Sequence, residues 1–376
     1  MMLKIEQVDV DSKSQVDEFI QLPFRIFKNH PQWVPPFIGD IKTMLNPAKH
    51  PFYDHSDAEF FVAKKDGKVV GRIAALENKP FNKFHNTKDA EFYLFECEND
   101  QEIADALFNR LFDWAHKRRL NHIVGPKGFS AFDGYGLQIE GFENRCMMTM
   151  MNYNYPYYID LVEKAGFTKA VDFVSCYIHR SDFKIPEKVQ RVIEILNKRK
   201  TFEVLRFKNK GELKKWAKPI GETYNNTFVN NWEYYPLTER EVQFLLDNLM
   251  VIADPKLIKI ITHKDKVVGF LFAFPDISAA FQRAGGKVNP ISIADMLLEL
   301  KRTKWVSFNG VGVLPEYQGL GGNALMYDEM QKTMVDSTFE HGELTQMAET
   351  AVQIRKDIIT LGSRPYKNHR VFQKDI

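Results

Sequence analysis

The stretch that decides the reading runs from 305 to 325: Trp305-Val306-Ser307-Phe308-Asn309-Gly310-Val311-Gly312-Val313-Leu314-Pro315-Glu316-Tyr317-Gln318-Gly319-Leu320-Gly321-Gly322-Asn323-Ala324-Leu325. An apolar strand enters a glycine-rich turn, and the turn opens a helix whose buried side carries Leu325, Met326, Met330 and Met334. Such a turn sets consecutive backbone N–H groups at the positive end of a helix dipole, a device for holding phosphate. A nucleotide-binding P-loop would close in Gly-Lys-Ser/Thr, whereas this turn closes in Asn323-Ala324. The dinucleotide spacing Gly-x-Gly-x-x-Gly fails as well, because Gly310 and Gly312 are followed by Pro315.

Outward from this turn, the order of elements occurs twice. Residues 58–76 read as a hairpin around Asp66-Gly67, and 257–272 as a second around Lys264-Asp265. Each is followed by a strand (92–95 and 305–313), a helix, a strand, a helix and a strand. The expectation is an α/β chain, with mixed α+β sheets, built as a tandem repeat. Its parts are an N-terminal domain over 1–180, a connector over 181–200 and a C-terminal domain over 201–376. In the first half the position of the glycine turn is taken by Glu96-Cys97-Glu98-Asn99-Asp100, whose carboxylates would repel a pyrophosphate.

The run Val311 to Gly321 closely resembles the pyrophosphate-binding motif of the GNAT N-acetyltransferase superfamily: Gln or Arg, two residues, Gly, one residue, then Gly or Ala. Gln318 and Gly321 match, and Asn323 departs from it. The two-half arrangement is similar to a group of bacterial tandem GNAT-like proteins of unassigned substrate. The matching pieces are Trp33-Val34-Pro35-Pro36, Phe95-Glu96-Cys97-Glu98, Gly125-Pro126, Gly141-Phe142, Tyr157-Tyr158, Gly166-Phe167, Tyr366-Lys367 and Arg370-Val371-Phe372.

The resemblance implies two GNAT-like acyl-CoA N-acyltransferase domains, of which the second binds acetyl-CoA as cosubstrate. The pantetheine arm would pair with the strand at Val311 and Val313. The pyrophosphate would sit on Gln318, Gly319, Gly321, Gly322 and Asn323. The reaction implied is acyl transfer, acetyl in the simplest case, to a primary amine on a small molecule or peptide. Its general base and acid are expected among Glu349, Tyr317 and Tyr158, with Tyr157 and Tyr366 as further candidates, and Tyr157 and Tyr158 lining the acceptor site. The family's usual tyrosine on the helix 352–361 is missing, and Ala351 stands where related sequences often carry Asn. These departures keep open an idle acyl-CoA-binding or interaction module of the same fold. An aminoacyl transferase using aminoacyl-tRNA is the third reading.

Composition bears on the partners. Lys and Arg number 51 against 49 Asp and Glu, so the chain lacks the basic excess expected of a nucleic-acid or anionic-membrane binder. Cys97, Cys146 and Cys176 are too far apart for a thiolate metal site, and no His-x-x-x-His pair occurs; no metal is expected. The opening residues carry no apolar signal run and no stretch suggests a membrane span, so a cytoplasmic protein is expected.

Overall fold

The computed structural model describes residues 2–130, 132–147 and 152–376. They form two compact units that are discontinuous in sequence. The first comprises residues up to Val174, Ser278–Met296 and Lys367–Ile376; the second comprises Ser175–Ile277 and Leu297–Tyr366. The 181–200 segment, expected as a connector, is thus part of the second unit. Its helix Glu187–Arg199 buries Ile193 and Leu196 in that unit's core with Phe202, Ile261 and Met326.

The strands are β1 (Leu3–Gln7), β2 (Asp57–Lys65), β3 (Lys68–Glu77), β4 (Asp89–Cys97), β5 (His122–Gly125), β6 (Leu137–Glu140), β7 (Thr168–His179), β8 (Glu203–Leu205), β9 (Ile258–His263), β10 (Lys266–Pro275), β11 (Trp305–Val313), β12 (His341–Ala348) and β13 (Arg364–Asp375). In the first unit they run β1-β2-β3-β4-β5-β13, with β6 on β13. In the second they run β7-β12-β11-β10-β9-β8. Both orders are mixed: hairpins lead to one parallel pair, β4 with β5 and β11 with β12.

Both hairpins turn as their sequences suggest. Asp66-Gly67 and Lys264-Asp265 are two-residue loops in which both residues have positive φ, the turn that matches the twist of an antiparallel pair. In the first unit the helix Gln101–Lys117 buries Ile103, Leu107, Leu111 and Trp114. In the second the helix Gly322–Val335 buries Leu325, Met326, Met330 and Met334, the side read from sequence. The glycine-bearing stretch 126–150, loop-rich by sequence, contains β6; residues 131 and 148–150 of it lie outside the described residues. Three further helices follow β8 (Lys210–Lys214, Ala217–Thr227 and Glu239–Ile252), where the sequence suggests helical segments at 211–230 and 238–250. No helix is long and apolar enough to cross a membrane among the described residues.

β13 carries a buried histidine in the first unit. His369 is fully buried, with Nε2 3.0 Å from the Asn152 carbonyl and, among the described residues, no partner on Nδ1. Burial, which disfavours the imidazolium, pulls its pKa down from 6.5 to about 3. The unfolded chain therefore takes up a proton below pH 6.5 that the folded chain refuses, so stability is lost as pH falls from 6.5 toward 3. His369→Gln should reduce the fall in unfolding free energy by up to about 1.4 kcal/mol per pH unit between pH 6 and 4, measured by urea unfolding. An unchanged slope would show that His369 is already protonated in the folded chain.

Candidate functional site: the opening between two parallel strands

In the second unit β11 and β12 pair in parallel only from Trp305↔His341 to Phe308↔Leu344. Beyond that point both strands continue but part company. On its other side β11 stays on β10 as far as Gly269↔Val313, with Asn309 bulged out where Phe272 pairs Gly310 and Ala273 pairs Phe308. Among the described residues, the edge of β11 from Gly310 to Val313 that faces the opening therefore has no strand partner. Side chains close the fork at its base: Asn309 Nδ2 donates to Thr345 Oγ1 at 3.2 Å, and Thr345 Oγ1 donates to the Phe308 carbonyl at 3.0 Å. On β12, Gln346 is held at φ 42°, a left-handed conformation unusual for a residue with a side chain, by its N–H bond to Ser175 Oγ at 3.1 Å.

The glycine turn lies at the end of β11. Gln318 Nε2 donates to the Val313 carbonyl at 3.1 Å and ties the turn to the strand. Gly319 and Gly321 have φ of 74° and 87°, which only glycine adopts without strain. Ala324 and Leu325 N–H groups both turn to the Gly321 carbonyl. Among the described residues no acceptor is bonded to the successive backbone N–H groups from Gly319 to Asn323, and Asn323 adds a buried side-chain oxygen with no partner. Unpaired donors in sequence at a helix start form an anion cradle.

A polar cluster occupies the same two strands. Glu343, on β12 opposite Ser307, is completely buried, and its carboxylate accepts the hydroxyl proton of Tyr366. Beside it Tyr177 and His341 share a hydrogen bond of 2.8 Å, with Trp305 stacked on His341 at 4.6 Å. Burial raises the nearby Cys176 thiol to about 11, against a weaker opposing bond from Ser363, so it stays protonated. From sequence, Tyr366 is one of the tyrosines considered for acid or base, and Glu343 is passed over. Its visible signal is the single carboxylate of β12, set between Gly342 and Leu344.

Protein-family models give no match to this chain. It is 25% identical over 371 residues to Protein YghO of Escherichia coli K12, covering 97% of this chain and 94% of that one. It is 26% identical over 374 residues to a protein of Caulobacter vibrioides named bacterial ceramide synthase, covering 98% and 96%. Among solved structures, the tandem GNAT protein from the clavulanic acid biosynthesis pathway aligns over 100% of this chain and 98% of its own, with TM-score 0.57 and 11% identity. The chain has the tandem GNAT fold.

The first GNAT unit repeats the fork and fills it differently. β4 and β5 pair from Asp89↔His122 to Glu91↔Val124 and then separate, with Leu94 held at φ 48°. Past the fork, Tyr157 donates its hydroxyl proton to the Cys97 carbonyl at 2.7 Å, and the Cys97 N–H donates to the hydroxyl oxygen of Tyr158 at 3.2 Å. The backbone of β4 is thus bonded by the protein's own side chains. At the start of the helix Gln101–Lys117 the N-cap is Asp100, and Arg25 and Lys65 engage Glu98 and Asp100. A cavity of about 290 Å³ opens beside Leu94, walled by Trp33, Pro36, Tyr153 and Phe281, with the buried Arg72–Glu96 ion pair at its floor.

The residues singled out from sequence fall into four places. Val311, Val313, Gln318, Gly319, Gly321, Gly322 and Asn323 come together at the opening and its turn. Glu349 stands just past the end of β12, its carbonyl accepting from Arg355 Nη1 at 3.2 Å. Tyr317 packs against Phe202 and His263, with ring centroids at 6.3 and 5.4 Å. Tyr157 and Tyr158 belong to the first unit, where Tyr158 is fully buried.

The two turn glycines differ in surroundings. A Cβ at Gly319 would meet nothing within 4 Å, whereas one at Gly321 would lie 2.8 Å from Leu196 Cδ1 and 3.0 Å from Val192 Cγ1. Gly319→Ala should therefore cost about 1 kcal/mol, from its left-handed backbone alone. Gly321→Ala should cost roughly 2–4 kcal/mol, since crowding adds to the same backbone term. Urea unfolding of the two variants measures the difference; equal losses would contradict this packing.

Proposed function

We propose that the protein is an acyl-CoA-dependent N-acyltransferase whose donor site is the opening between β11 and β12. The observation that carries this reading is the run of unpaired N–H groups from Gly319 to Asn323 beside the unpaired edge of β11. A pyrophosphate suits the first and the amides of a pantetheine arm suit the second, through strand-like hydrogen bonds. The fork in the first unit, with its tyrosines and carboxylates in those places, offers neither.

For the chemistry we assign Glu343 and Tyr366. The amine nitrogen attacks the thioester carbonyl, the C–N bond forms and the C–S bond breaks, and CoA leaves as thiolate. The amine's proton passes to Tyr366 as the tyrosine's own proton passes to Glu343, and Glu343 then returns a proton by way of Tyr366 to the CoA thiolate. Glu349, at the end of the same strand, is the alternative base. Tyr317, Tyr157 and Tyr158 are assigned to packing and to holding β4.

Acetyl is the simplest acyl group. A second reading has a long acyl chain and a long-chain amino alcohol as acceptor, because ceramide is such an amide and a relative covering 98% of the chain is named for making it.

Titrating CoA by calorimetry should give one site per chain, and Gly321→Glu should abolish it. Glu343→Gln should lower kcat by about 10²–10⁴ with CoA affinity unchanged, whereas Glu349→Gln should leave kcat within a few-fold. CoA binding without turnover on any amine, short or long, would favour the idle module.

A further inference from the structure

The segment between β10 and β11 holds two helices, Ser278–Ala284 and Pro290–Arg302. A surface helix ordinarily turns its apolar side inward. The second of these does the reverse. Ser292 and Glu299 are buried, and so is Thr303 just beyond them, while Ile291 is 82% exposed and Leu297 and Leu298 are 58% and 57% exposed. Ile293 and the preceding Val288 are exposed too. Both carboxylates of the helix are engaged by arginines, Asp295 by Arg283 at 2.7 Å and Glu299 by Arg302 at 2.6 Å. Lys287 before the helix and Lys301 at its end are exposed. The outward side is therefore apolar along its middle, basic at both ends, and without an exposed unpaired carboxylate.

We propose that the helix Pro290–Arg302 lies in the surface of an anionic lipid bilayer, its isoleucines and leucines in the acyl boundary and its lysines at the headgroups. This pattern, an apolar stripe flanked by cations, is that of interfacial helices. The inference rests on the long-chain reading above, which requires access to substrates that reside in membranes. A second observation joins the surface to the interior. Phe281, on the preceding helix, meets Phe37 with ring centroids 4.0 Å apart and walls the cavity of about 290 Å³ in the first unit. The same insert thus carries the exposed apolar side and one aromatic wall of that cavity.

A second copy of the chain fits this face less well. An antiparallel contact of two such helices would set their basic ends against each other. A helix of this length, about 20 Å, also presents far less than the ~800 Å² per partner that a stable interface needs.

The test is co-sedimentation of the full chain with phosphatidylcholine vesicles, with and without phosphatidylglycerol. The protein should sediment with the anionic vesicles and less with the neutral ones. The triple variant Ile291→Ser, Leu297→Ser, Leu298→Ser should lower binding by about tenfold or more. Val251→Ser, at a residue 71% exposed elsewhere, should leave it unchanged. Unaltered circular dichroism and melting would show that the triple variant folds. The proposal is overturned if the wild-type chain does not sediment, if Val251→Ser reduces binding equally, or if sedimentation velocity shows a dimer that the triple variant converts to monomer. Because no step of this test uses CoA or activity, its failure is distinguishable from failure of the acyltransfer reading, which the calorimetric titration decides.

Discussion

Two parallel strands that pair for a few residues and then diverge create a debt of hydrogen bonds. Backbone N–H and C=O groups left inside a protein without partners destabilise it by amounts comparable to a lost hydrogen bond each. At β11 and β12 the pairing stops at Phe308 and Leu344, and the chain must do something with the edge that follows. Most features of the site answer that requirement. The Asn309 bulge keeps β11 on β10 after it has left β12, Asn309 and Thr345 bind the fork shut at its base, and the turn after Val313 leaves its donors facing outward.

The two halves resolve the same geometry in opposite ways. In the first unit Tyr157 and Tyr158 reach the Cys97 backbone, and acidic side chains stand at the helix start with basic neighbours already engaged. That fork is satisfied from within. In the second unit Gln318 takes the Val313 carbonyl, while among the described residues the turn's N–H groups from Gly319 to Asn323 stay unbonded. A site that binds an anion through backbone donors needs no charged side chain of its own, which is why the turn is electrically plain by composition yet suited to phosphate.

The fold was legible because its signals are local. The Asp66-Gly67 turn, the apolar spacing of the helix Gln101–Lys117 and the Gln318–Gly322 turn each declare themselves within a few residues. The division into units was less so. Sequence order suggests a cut near 181–200, but Ser278–Met296 and Lys367–Ile376 pack within the first unit, and strand exchange of that kind leaves no local trace. The Glu343–Tyr366 contact was hidden for a related reason: it joins residues 23 positions apart across separate strands, and Glu343 sits in a strand whose alternation reads as ordinary. Tyr158 shows the converse. Its position in a tyrosine-rich run drew attention, while its hydroxyl serves a backbone amide.

Residues 367–376 have a consequence for how the protein is made. Lys367–Ile376 form the part of β13 that pairs with β5 from Phe372↔Gly125 to Asp375↔His122 and buries Val371 and Phe372. A ribosome delivers the amino-terminal residues first, at a pace that lets many domains fold as they emerge. Here the first unit lacks the strand that pairs with β5 until residues 367–376 have been translated, long after Val174. Residues that emerge early must therefore wait for a segment encoded far behind them, and a change within 367–376 is felt in a unit built mostly from residues far upstream.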